Sequence, residues 1–133
     1  MRMNKYTILL ADDDEDDRLF FREGMKAAGI GTDLLTEVAN GAEVLSFLEA
    51  SEVMPDLIIL DQNMPLMTGE ETLEHIKSHR KYHHIPVAIY STSDFQNGYA
   101  QFMSKGALSV SVKPLNMAGY KALVTSMLSQ ISQ

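Results

Sequence analysis

Six acidic residues follow one another over positions 12–17, directly behind the apolar run "YTILLA" at 6–11. Like charges packed this densely repel, so the cluster calls for a positive partner. The residues that close the other apolar runs supply candidates. "PDLIILD" ends on Asp61. "IPVAIYS" ends on Ser91, with Thr92 next. "LSVSV" is followed by Lys113 and Pro114. Asp12, Asp13 and Asp61, one or two hydroxyls and an ammonium would converge if these runs are neighbouring strands. Such a set suits a hard divalent cation, since magnesium takes carboxylate oxygens, waters and phosphate. The lysine and the hydroxyl suit phosphoryl oxygens. Together this is equipment for phosphoryl transfer, where positioning and charge neutralisation do most of the catalysis.

The same acids admit other readings. Asp12, Asp14, Asp16 and Glu23 fall at positions one, three, five and twelve of a calcium loop. Position six is Asp17, though, where the loop's sharp turn needs glycine. A helix opening at residue 14 would welcome acids at its N-terminus, each contributing at most ~1 kcal/mol. The expected division is therefore Asp12 and Asp13 toward a metal, and 14–17 toward water and a helix dipole. Glu71, His75, His79 and His83 form a ladder at helical spacing that could ligate zinc, but the helix carrying it is polar throughout and reads as a solvated face.

The elements that must place these groups alternate in kind. Strands are expected at 6–11, 33–39, 55–61, 85–91 and 108–112. The run at 57–60 has no polar alternate, as in a central strand buried on both faces, while 108–112 alternates with serine, as at a sheet edge. Helices are expected at 14–28, 40–50, 69–82, 95–105 and 116–131. Leu19, Phe20 and Ala27 are expected inward on the first, and Val44, Leu45 and Leu48 on the second, which Asn40 caps. The last carries an inward stripe of Met117, Tyr120, Val124, Met127, Leu128 and Ile131. Gly106 ends the fourth, whose Phe95, Tyr99, Phe102 and Met103 read mostly as core. Strict strand–helix alternation gives an α/β, doubly wound, three-layer sandwich with a parallel sheet. Ligands of such folds lie beyond the carboxyl ends of the strands, where the residues above stand.

Composition narrows the function classes. Eleven basic residues against eighteen acidic ones give a net charge of -7, which argues against a general DNA or RNA binder. With no cysteine, disulfides and thiolate metal sites are excluded. No segment reaches the ~18 apolar residues of a membrane span, so no membrane association and a cytoplasmic location are expected. One domain, 1–133, is expected.

The stretches "ILLADD", "PDLIILDQNMPLMTG", "IPVAIYSTS" and "SVKP" together resemble the receiver domain of two-component response regulators, over nearly the whole chain. The resemblance implies a flavodoxin-like (βα)5 fold with strand order 2-1-3-4-5. It implies that Asp61 is the phosphoacceptor, taking its group from a histidine kinase or histidine phosphotransfer protein. It also implies that Asp12, Asp13, Asp61 and the backbone carbonyl of Asn63 form the magnesium site, that Lys113 contacts the phosphoryl oxygens, and that Ser91 is the switch hydroxyl. Thr92 remains an alternative for that last role. Pro65 and Gly69 match the turn after the acceptor strand, and a cis peptide bond is implied between Lys113 and Pro114. One departure stands out. The family's frequent aromatic three residues before the lysine is here Val110. Tyr90 is nearby, but alternation points it to the opposite face from Ser91.

The expected function is a phosphoacceptor signalling domain, not an enzyme, without an output domain, that switches contacts with a downstream protein and could form a phosphorylation-linked homodimer. Slow autodephosphorylation is expected. Two rivals remain open. A receiver that binds partners without phosphorylation would leave the acid, hydroxyl and lysine set without a role. A magnesium-dependent phosphohydrolase with an aspartyl nucleophile needs a general acid two residues further on, where this chain has Asn63.

Overall fold

A computed structural model of the protein describes residues 5–92 and 98–132. In chain order the elements are β1 (Ile8–Ala11), α1 (Glu15–Ala27), β2 (Leu35–Val38), α2 (Gly41–Ala50), β3 (Leu57–Asp61), α3 (Gly69–Ser78), β4 (Val87–Ser91), α4 (Tyr99–Ser104), β5 (Ser109–Val112) and α5 (Met117–Ile131). The three runs without polar alternates, β1, β3 and β4, are buried along their whole length. They occupy the centre of one parallel sheet of order β2-β1-β3-β4-β5. The alternating run β5 lies at an edge and is only partly covered. This is the expected flavodoxin-like arrangement.

Two cores flank the sheet. Leu9, Ile58, Leu60, Val87 and Ile89 face the side covered by α2, α3 and α4. Ile8, Leu10, Leu57, Ile59, Ala88 and Tyr90 face α1 and α5. Those last two helices pack so closely that a Cβ on Gly24 would meet the Tyr120 Cβ at 2.9 Å. Caps set the helix starts. Asp14 accepts from the backbone nitrogens of Asp16 and Asp17, Asn40 from that of Glu43, and Asn116 from that of Gly119. Thr68 and Glu71 form a reciprocal capping box.

The structure corrects several expectations. On α1 the inward residues are Phe21, Gly24 and Met25, while Leu19, Phe20 and Ala27 are exposed. The face is chosen by contact with the sheet and α5, and Phe20 instead rests on the Tyr120 ring at 5.8 Å. On α5 the stripe holds except at Met117, which is exposed in the first turn. α3 stops at Ser78, because His79 adopts an extended conformation (φ -93, ψ 131). The histidine ladder is thereby broken. His79 stacks on Tyr82 at 4.0 Å, and only His75 of the three lies on the helix. There is no cis peptide bond among the described residues, so Lys113–Pro114 is trans. Of the fourth helix, Tyr99–Ser104 is seen, with Phe102 buried and Tyr99 exposed. Phe95 lies outside the described residues.

The loop between β3 and α3 carries a strained residue. Leu66 has φ 70 and is 84% exposed, so neither conformation nor burial favours leucine there. Leu66→Gly is expected to stabilise the protein by about 1 kcal/mol, read as a raised urea midpoint at unchanged slope. An unchanged or lower midpoint would contradict this.

Candidate functional site

The site is built where the backbone ladder lets side chains leave the sheet. Ala11 pairs with Leu60 and Asp61 pairs with Tyr90, so Asp12, Asp61 and Tyr90 stand in one row across three adjacent strands. Period-two alternation turns all three toward the α1/α5 side. Asp12 is fully buried. Its Oδ1 accepts from the Asp14 nitrogen at 2.9 Å, which turns the chain into α1. Asp13 beside it is exposed.

Asp61, 3% exposed, ends β3 and is followed by a tight turn. The Asn63 nitrogen donates to Asp61 Oδ1 at 3.3 Å. Gly69 lets α3 begin against this turn, since a Cβ there would sit 2.6 Å from the Asp61 carbonyl oxygen. Ser91 is buried at the end of β4 and accepts from the Asn63 side-chain amide at 3.1 Å. Thr92 next to it is exposed.

Lys113 reaches in from the end of β5, its backbone nitrogen bonded to the Ser91 carbonyl at 2.7 Å. Its ammonium lies 2.9 Å from Asp12 Oδ2, 2.8 Å from Asp17 Oδ2 and 3.5 Å from Asp61 Oδ1. One ligand oxygen each of Asp12, Asp13 and Asp61 can be chosen within 4.8 Å of one another. Asp12, Asp13, Asp61 and Lys113 are thus brought together, and Ser91 is tied to them through Asn63.

Two neighbours outside the expected set join the site. Asp17, expected to face water and the helix dipole, pairs with Lys113. Its place one helical turn beyond Asp13 is the available sequence signal. Tyr90 does face away from Ser91, but this carries its hydroxyl onto Asp12 Oδ2 at 2.6 Å. Its ring also lies 4.8 Å from the Lys113 ammonium. Strand parity reveals that contact only once the register between strands is known.

The electrostatics follow from burial with too few cations. Burial foremost, and then the Asp12 charge, push the Asp61 carboxyl up to about 7, with Lys113 pulling the other way. Burial pulls the Lys113 ammonium down, but Asp17, Asp12 and Asp61 more than offset it and hold it above the usual lysine range. Burial, and after it the Asp12 carboxylate, raise the Tyr90 phenol well above its usual value. An all-oxygen donor set that leaves a carboxyl so hard to ionise fits a hard divalent cation. With one, the row can hold and neutralise a phosphoryl group.

The family model of the Response regulator receiver domain matches residues 8–125, which include every residue of this site. The chain belongs to that family. It is therefore a two-component receiver domain, a signalling module of phosphorelay systems. The receiver is similar to the two-component response regulator ORR41 of Oryza sativa subsp. japonica, with 29% identity over 82% of this chain and 84% of that protein. It is also 28% identical to part of the sensor histidine kinase CheAY of Helicobacter pylori, over 82% of this chain. The chain spans 84% of the first of these relatives but only 13% of the second. Among solved structures, the Mn(2+)-bound form of response regulator Rcp1 superposes on the receiver with TM-score 0.79 and 26% identity, covering 92% of this chain and 91% of that one. No helix among the receiver's described residues is long and apolar enough to cross a membrane.

Proposed function

We propose that Asp61 accepts a phosphoryl group from a phosphohistidine on a histidine kinase or histidine phosphotransfer protein. The observation that carries this reading is the meeting of Asp12, Asp13, Asp61 and Lys113 at the carboxyl ends of β1, β3 and β5. An Asp61 carboxylate oxygen attacks phosphorus, the P–N bond breaks, and the histidine departs with its electron pair. Asp12, Asp13, Asp61 and the Asn63 backbone carbonyl would hold magnesium, which when bound would neutralise phosphoryl charge and favour the ionised Asp61. Lys113 follows the new phosphoryl oxygens, and Ser91 leaves the Asn63 amide to donate to them. The acyl phosphate is later lost to water by slow hydrolysis in the same pocket.

The added charge redistributes Lys113 among its carboxylates and shifts α5 and β5 between two populations. Val112 and Leu115, exposed beside the site, give a downstream protein or a second copy an apolar surface to sense the change. The chain works as one receiver unit in the cytoplasm, alongside the catalytic part of its kinase. Support for the phosphorylation-dependent reading comes from the acids and lysine held in contact, with the Ser91 hydroxyl linked to them through Asn63.

Intact mass after incubation with a small acyl phosphate tests it. A single phosphoryl gain that needs magnesium and vanishes in Asp61→Asn is expected, and a gain that survives in Asp61→Asn would overturn the assignment. The acidic run divides in the same scheme. Asp13→Ala is expected to weaken magnesium binding on the order of 100-fold by calorimetry, and Asp16→Ala by less than about twofold, because Asp16 faces solvent. Equal losses would undo the division.

A further inference from the structure

The Tyr90 phenol is fully buried, and its hydroxyl donates to a carboxylate. Packing does not require its hydroxyl. Neighbouring inward positions on this face are Ile8, Leu10, Leu57, Ile59 and Ala88, all aliphatic. The ring is held edge-on by Phe21 at 6.3 Å and lies 4.8 Å from the Lys113 ammonium. The donor on that ring is therefore rigid.

Its acceptor is heavily used. An ionised carboxylate offers about four lone-pair sites. Asp12 Oδ1 takes the Asp14 nitrogen at 2.9 Å, and Oδ2 takes both Tyr90 at 2.6 Å and Lys113 at 2.9 Å. With three donors in place, the Asp12 carboxylate keeps one orientation, and about one site remains toward the metal pocket. Without the phenol, Oδ2 loses its fixed donor and keeps Lys113, which is itself shared with Asp17 and Asp61.

We propose that Tyr90 is a positioning residue of the metal pocket, fixing the Asp12 carboxylate through its hydroxyl so that the pocket is preformed for magnesium. This rests on the magnesium-dependent phosphoacceptor reading above. Groups that orient a metal-binding carboxylate typically change affinity about 10–100-fold when removed. The same side chain extends from Asp12 to Phe21 on α1, so occupation of the pocket is felt on the face away from Val110.

Magnesium affinity measured by calorimetry on wild type, Tyr90→Phe, Asp12→Asn and the double variant tests the proposal. Tyr90→Phe keeps the ring and its packing, and is expected to bind magnesium about tenfold more weakly. The double variant is expected to bind no more weakly than Asp12→Asn alone, because the phenol acts through that carboxylate. Phe21→Leu, which disturbs the same core but leaves the hydroxyl in place, is expected to keep wild-type affinity. Tyrosine labelled with 13C at the ζ carbon gives an independent readout on the unaltered protein, in which the Tyr90 resonance moves as magnesium is added. Wild-type affinity in Tyr90→Phe, summed losses in the double variant, or an unmoved Tyr90 resonance would each overturn it. If the wild type itself takes up no magnesium, the underlying reading falls, and the Tyr90 role with it.

Discussion

Asp61→Asn is expected to be more stable than the wild type at pH 8 in chelator, by about 2–4 kcal/mol. The metal-free Asp61 carboxyl stands at about 7, well above the 3.8 of an unperturbed aspartate. A raised pKa means that folding favours the protonated form. The associated stability is fully present below about pH 4 and is lost as pH rises through 7. The asparagine side chain never ionises and escapes that loss. The advantage should therefore be absent at pH 4, grow across pH 4–7 and level off above. Magnesium, which binds the ionised form, should narrow it. Urea titrations at pH 4, 6 and 8, with and without magnesium, would check this. Coincident midpoints at pH 8 in chelator would show that Asp61 is not held against ionisation. The phosphoacceptor would then need no cation to become a nucleophile.

Lys113→Ala is expected to be the most damaging single substitution at the site, costing about 3–5 kcal/mol in chelator at pH 8. Among the described residues its ammonium is the one cation ion-paired with Asp12, Asp17 and Asp61, and the first and last of these are almost completely buried. Truncation leaves buried carboxylates without a counter-charge, which costs more than the pair itself is worth. A fall in the thermal midpoint on the order of 10 °C would accompany it. Two conditions should rescue the variant: magnesium, which supplies positive charge to the same oxygens, and the Asp61→Asn background, which removes one of the stranded charges. A loss of under about 1 kcal/mol would mean that the carboxylates are solvated well enough to need neither lysine nor metal.

Both predictions concern residues that their types and their places in the sequence already mark. The unalternated run at 57–60, the serine-spaced run at 108–112 and the strict strand–helix alternation are local patterns. They follow from which faces each segment must bury, so sheet centre, sheet edge and parallel topology are all readable from them. So is the set Asp12, Asp13, Asp61, Ser91 and Lys113, because in a parallel α/β sheet anything just beyond a strand's carboxyl end meets its counterparts there. Asn40 as a cap and Gly106 as a terminator are legible for the same local reason.

What escapes the sequence are quantities that depend on two segments at once. The inward face of α1 is Phe21, Gly24 and Met25 because α5 approaches within a Cβ of Gly24, and nothing inside residues 14–28 encodes that approach. α3 ends at Ser78 although its helical pattern runs on, because the chain turns there toward β4 and Tyr82 is drawn into the core. Asp17 has the sequence context of a solvated helix acid, and its partner Lys113 lies 96 residues away.

Tyr90 shows the distinction most clearly. By itself the sequence determined that this side chain lies on the opposite face from Ser91, since that is alternation along one strand. Only the tertiary structure decided that the same face, in the register Ala11 to Leu60 and Asp61 to Tyr90, puts a phenol beside Asp12. Register belongs to pairs of strands, and it is set by which hydrophobic faces of the two must be buried together and by the connections between them, not by any one residue's own preference.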